Sequence, residues 1–139
     1  LDWLAAQGID VGGGGESLLA TEHRRPAAQS LTTFTTDQVL DWLAAQPTTE
    51  PWFAHVSYLR PHPPYSAPGE WSQRYDPATL DERAGPPIAP QPAGERSAFH
   101  DAVLGTPLAA APTDPAALAR LRAQYFGNVS HVDHELGRV

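Results

Sequence analysis

At 139 residues with 41% hydrophobic positions, the chain can bury one modest core, the size of a single small domain. Its formal net charge of −7, with all nine basic residues Arg, excludes a general nucleic-acid binder, because phosphate binding needs a basic face that displaces counterions. The absence of Cys excludes disulfides, thiolate metal ligands and a Cys nucleophile within these residues, and no apolar run approaches membrane-spanning length.

The chain opens on Leu1-Asp2-Trp3-Leu4, already inside an amphipathic helical pattern, and stops at Val139 directly after an apolar series. Both ends therefore read as cuts, with the last helix expected to run to the terminus. The heptapeptide Leu-Asp-Trp-Leu-Ala-Ala-Gln occurs at residues 1–7 and again at 40–46. Two copies with unrelated flanks do not make a repeat array, and both read as ends of amphipathic helices. Gly12-Gly13-Gly14-Gly15 reads as a loop; no Lys-Ser/Thr pair follows, so it is no phosphate cradle.

A helix is expected from about Thr36 to Gln46, since Thr35 and Gln38 fit a capping box while Val39, Leu40 and Leu43 share a face. Residues 52–59 are aromatic and β-branched, are bounded by Pro51 and Pro61, and carry few polar positions, which suits a strand buried on both faces of a mostly parallel sheet. From residue 60 to about 112 the chain is crowded with Pro and reads as one long excursion, apart from a short turn near residues 81–83. The clearest helix comes last, with Asp114 as N-cap and Pro115 in the first turn. Leu118, Leu121, Tyr125, Val129, Val132 and Leu136 form its apolar stripe, expected to pack on the sheet.

The chemistry-bearing stretch is Leu59-Arg60-Pro61-His62-Pro63-Pro64-Tyr65, directly after the expected strand. In open α/β sheets, ligands bind beyond the carboxyl ends of the strands. Three prolines restrict the backbone around His62 and hold its imidazole in a narrow range of directions. Such a group can donate a hydrogen bond to an anionic oxygen or protonate a leaving group near neutral pH. The alternatives are a structural His in a proline-rich turn, with Arg60 solvated or paired to a carboxylate, and a polyproline ligand for an aromatic groove. His131 and His134 flank Asp133 one helical turn apart but need a further metal ligand, so a solvated helix face is the default. His23, His55 and His100 are unassigned; a His within a strand, such as His55, is usually buried and satisfied. Asn128-Val129-Ser130 fits the glycosylation pattern but falls inside the expected last helix.

The stretch from Pro51 to Tyr65, Pro-Trp-Phe-Ala-His-Val-Ser-Tyr-Leu-Arg-Pro-His-Pro-Pro-Tyr, resembles a segment of the sulfatases and phosphonate monoester hydrolases of the alkaline phosphatase superfamily. Ala67-Pro68, Trp71 to Tyr75, Thr35-Thr36-Asp37 and the Tyr125…Val132-Asp133…Leu136-Gly137-Arg138 helix continue the likeness. The resemblance implies an α/β fold in which residues 1–139 are an internal part of a sulfatase-type catalytic domain, its central, mostly parallel sheet flanked by helices and carrying a long Pro-rich loop. It implies hydrolysis of a small anionic sulfate or phosphonate/phosphate ester, with His62 at the transferred group or leaving oxygen, and Arg60 as a weaker substrate contact, better suited to anchoring the loop. It also implies a divalent metal ion, Ca, Mn or similar, whose ligands lie outside this chain. The family's nucleophile motif, a Cys or Ser followed by Pro and Arg two and four residues later, is absent here, so the chain alone is expected to be inactive. Against this stands a non-enzymatic module whose proline-rich middle binds a partner.

Overall fold

The computed structural model describes residues 2–11, 18–80, 96–106 and 111–139. The glycine run 12–15 and the turn expected near residues 81–83 lie outside the described residues. The described residues include helices α1 (Asp2–Ala6), α2 (Leu31–Ala44), α3 (Ala98–Leu104) and α4 (Pro115–Leu136), helical residues 18–20, and short 3-10 turns at Glu22–Arg24, Ala27–Gln29, Gly69–Gln73 and Pro77–Thr79. The proline-rich region is thus less uniform than expected, since it holds α3 and two of these turns. Both copies of the heptapeptide fall on helices, one spanning α1 and one at the end of α2. In α1, Leu4 is buried and Trp3 packs at a tilt against Phe34 with ring centroids 4.6 Å apart.

Helix α2 starts five residues before the sequence expectation. Ser30, in extended backbone, is its N-cap, and its hydroxyl accepts from the Thr33 amide at 3.1 Å. Thr35, expected to cap, instead lies in the second turn and donates back to the Leu31 carbonyl at 2.9 Å. The fully buried positions of α2 are Thr32, Thr33 and Thr36 rather than its aliphatic residues. Threonines can line an interior here where their hydroxyls find partners: that of Thr33 donates to Glu135 at 3.0 Å, and that of Thr36 lies 2.9 Å from the Tyr58 hydroxyl.

Helix α4 begins as expected: Asp114 accepts from the Ala117 amide at 2.8 Å, and Pro115 occupies the first turn. It ends at Leu136, short of the terminus, because the Gly137 amide closes the last turn on the Asp133 carbonyl at 3.1 Å. Its buried face is the reverse of the expected one. Ala123, Gly127, Asn128, His131 and Glu135 face inward, while Tyr125, Val129 and Leu136 of the apolar stripe are exposed. The inner face meets the 3-10 turn at Gly69–Gln73 and the threonine face of α2, and both surfaces favour small or hydrogen-bonding side chains. At Gly127 the approach is close enough that a Cβ would sit 2.3 Å from the Trp71 carbonyl oxygen. Gln124 ties the helix to the same loop, accepting from the Ala67 amide and donating to the Ser72 carbonyl, both at 2.9 Å.

The expectation of a sheet is not met among the described residues, which contain no strand. Residues 52–59 form no strand or helix, with Trp52 54% and Phe53 88% exposed. A segment apolar on both faces needs neighbours on both edges and both faces. Here its contacts include the Trp42–Trp52 edge-to-face pair, at 5.3 Å, and the Tyr58–Thr36 hydroxyl contact.

Candidate functional site

The proline loop is held from beneath by one side chain. Arg60 and Glu22 form an ion pair whose two side chains are each only 1% exposed. Arg60 donates through Nε, at 2.8 Å, and Nη2 to the same carboxylate oxygen of Glu22. The rest of the guanidinium reads backbone: Nη1 donates to the carbonyls of His62, at 2.9 Å, and Pro64, and Nη2 to that of Leu19, at 2.8 Å. The planar fork can satisfy this many acceptors at once, which the point charge of a Lys could not. The other Glu22 oxygen accepts from the Leu31 amide at 3.2 Å, in the first turn of α2, where helix polarity favours a carboxylate. One buried pair therefore joins the loop to the start of α2. Glu22 was not singled out from the sequence, since it lies 38 residues from its partner and no local spacing marks it.

Above this anchor, His62 is exposed. Its amide closes a turn on the Leu59 carbonyl at 3.0 Å, and its Nδ1 lies 2.7 Å from the Pro63 carbonyl oxygen. A carbonyl only accepts, so Nδ1 carries the hydrogen and Nε2 is left for an incoming group. In the neutral ring that nitrogen is an acceptor, and in the imidazolium it is a donor. The arrangement suits proton delivery to a leaving oxygen or stabilisation of a developing anion. Arg60, the weaker candidate for substrate contact, has its guanidinium occupied by Glu22 and the loop carbonyls.

The other histidines take separate paths. His131 is fully buried, not on a solvated face as expected. Its Nε2 lies 3.1 Å from the Thr33 hydroxyl, which itself donates to Glu135 at 3.0 Å, so Nε2–H is the donor to Thr33 and Nδ1 has no hydrogen-bond partner. Burial holds the His131 pKa below its ordinary value, against an opposing pull from Glu135. At Glu135 burial works upward, but hydrogen bonds from Arg138 and Thr33 outweigh it and leave the carboxyl below its ordinary range. Arg138 also reaches Asp37 of α2 at 2.7 Å, so the network clamps α2 to α4. Trp71 covers it, stacked on His131 at 5.4 Å. His134 is exposed, and so is His55, which was expected to be buried. Asn128 is wholly buried, which removes it as a glycan acceptor in this fold. Among the described residues no group of three His, Asp or Glu could hold a metal ion.

The sulfatase family model matches residues 5–139. An arylsulfatase of Clostridium perfringens is 27% identical over 77% of this chain and 21% of its own length. The multifunctional alkaline phosphatase superfamily protein PehA of Trinickia caryophylli is 27% identical over 99% of this chain and 30% of its own length. The chain thus spans between a fifth and a third of the length of these curated relatives. No solved structure matches significantly.

Proposed function

Because the chain belongs to the sulfatase family, we propose that it supplies the histidine loop and part of the helical scaffold of a hydrolase acting on small anionic sulfate or phosphonate/phosphate esters. The observation that carries this reading is the fixed presentation of His62. Its backbone is gripped by a buried Arg60–Glu22 pair, its Nδ1 is committed to the Pro63 carbonyl, and its Nε2 is left available. His62 protonates the leaving oxygen or stabilises its charge, and Arg60 is a positioning residue that holds the loop.

The metal and nucleophile of such a reaction belong to residues outside this chain in our reading. The described residues do not fit a metal ion, since none of their His, Asp and Glu gather in threes, so no step is assigned to one here. The reading also gives the exposed apolar surfaces a role. Residues 52–59 become a strand, and the outer stripe of α4 a packing face, of the family's α/β sheet when their neighbours are present.

The test is hydrolysis of aryl sulfates and aryl phosphonates by the complete catalytic domain, comparing wild type with His62→Ala over leaving groups of rising pKa. Loss of a general acid costs about a hundredfold or more, and most where the leaving group is least acidic. A loss that is small and independent of the leaving group refutes the proton-delivery role.

A further inference from the structure

A cleft lies where α4 meets the 3-10 turns at Gly69–Gln73 and Pro77–Thr79. Its volume is about 590 Å³, within the range of small-molecule sites. Ala20 and the buried Ala123 leave the space open, and Tyr65 and Tyr75 flank it. Several lining groups are already committed to the framework. Gln124 is bonded at both ends of its amide, Ser72 donates to the Gly69 carbonyl at 2.7 Å, and the Tyr75 hydroxyl pairs with Ser130 at 2.7 Å. Tyr75 thus offers the cleft its ring rather than its hydroxyl.

The remaining polar groups are free to meet a ligand. His23 is locked at two points by one hydroxyl: Ser66 Oγ accepts from the His23 amide and lies against Nδ1, both at 2.9 Å. With Nδ1 engaged by Ser66 Oγ, Nε2 is the ring nitrogen left for a ligand, a donor or an acceptor according to the tautomer. The amide of Gln73 and the hydroxyl of Tyr65 have no partner among the described residues. Asp76 uses one carboxylate oxygen to cap Ala78, at 2.9 Å, and keeps the other. Arg120 has one distant ion pair, 3.8 Å from Asp114, and otherwise projects at the rim.

These free groups include donors and acceptors in comparable number, and the one cation and one anion that line the cleft cancel. An anionic ligand would find no surplus positive charge there. An uncharged ring bearing several hydroxyls matches this set, because each hydroxyl both donates and accepts while its C–H face lies on a tyrosine ring. We propose that this cleft binds a neutral saccharide or cyclic polyol, at a site that Tyr65 of the proline loop lines but His62 does not. The inference stands independently of the hydrolase reading, since it concerns binding and a ligand of different charge.

The test follows the amide spectrum of the full chain during titration with D-glucose, N-acetylglucosamine and myo-inositol, with sodium sulfate as the anionic comparison. At least one neutral ligand should produce saturable shifts at Ala20, His23, Tyr65 and Ala123, while sulfate leaves them unmoved. Gln73→Ala, at an exposed position, and Asp76→Asn, which retains the cap to Ala78, should each weaken binding about fivefold, the value of one hydrogen bond. The absence of saturable shifts up to about 100 mM of each neutral ligand, far weaker than a millimolar site, overturns the proposal. So does tighter binding of sulfate in the cleft, or sugar-induced shifts that neither substitution alters.

Discussion

Replacing Arg60 with Ala tests the anchor on which the presentation of His62 depends. Both side chains of the Arg60–Glu22 pair are 1% exposed, so the substitution leaves a carboxylate in the interior with the Leu31 amide as its remaining donor. It also takes a donor from the carbonyls of Leu19, His62 and Pro64. Breaking a buried pair from one side costs about 3–5 kcal/mol, against about 5–15 kcal/mol for the total stability of a domain. With a urea dependence of about 1.5 kcal/mol per molar, the unfolding midpoint should fall by about 2–3 M. Urea unfolding followed by tryptophan fluorescence measures this directly. The Glu22→Ala/Arg60→Ala double variant should be more stable than the sum of the single losses, because no charge is then stranded. A loss below about 1 kcal/mol, the value of an exposed pair, or strict additivity would refute the assignment of Arg60 as a buried anchor.

One further outcome follows from the α2–α4 clamp, one from the packing of α4 on the Trp71 turn, and one from the site. His131 stays neutral in the folded protein below its ordinary pKa of 6.5, whereas the unfolded chain takes up a proton there. Its contribution is therefore present above pH 6.5 and lost as pH falls below it, with a slope approaching about 1.4 kcal/mol per pH unit. Glu135 and His134 act on the same ring, and the lowered Glu135 pKa adds a loss that begins further into acid, so the His131→Gln variant isolates the first slope. Equal stability at about pH 7.5 and about pH 5.5 in the wild type would contradict this account. Gly127→Ala should destabilise by about 1–3 kcal/mol in thermal or urea unfolding, since its Cβ would meet the Trp71 carbonyl oxygen at 2.3 Å and force α4 off the loop. In the complete catalytic domain, Arg60→Ala should lower kcat for aryl esters through displacement of the loop, and unchanged kcat would remove Arg60 from any positioning role.

What the sequence made legible was local or carried by motif. Asp114 and Pro115 mark the start of α4 because an N-cap and its proline act within one turn. The sulfatase likeness rested on the proline-flanked His62 and the last helix, and the family match covers both. Pairings across the chain were not legible. Ser30 was not read as the cap of α2 because Thr35, with Gln38 three positions on, fits the capping-box pattern and Ser30, followed there by Thr33, does not; the tertiary setting, with Glu22 over the Leu31 amide, places the start at Ser30. The inner face of α4 was misread because hydrophobicity marks a buried face only where the neighbouring surface is apolar. Against Thr33 and the Trp71 carbonyl, the fit is made by Gly127, His131 and Glu135. The expected strand at residues 52–59 has the right composition but no partner strands among the described residues to pair with it.

The most direct test of the central claim compares turnover of aryl sulfate and aryl phosphonate esters by this chain alone and by the complete catalytic domain, each with divalent metal present and after chelation. The account predicts metal-dependent turnover by the complete domain and none by the chain alone. Turnover by the isolated chain, or failure of the complete domain to cleave either ester, would contradict it.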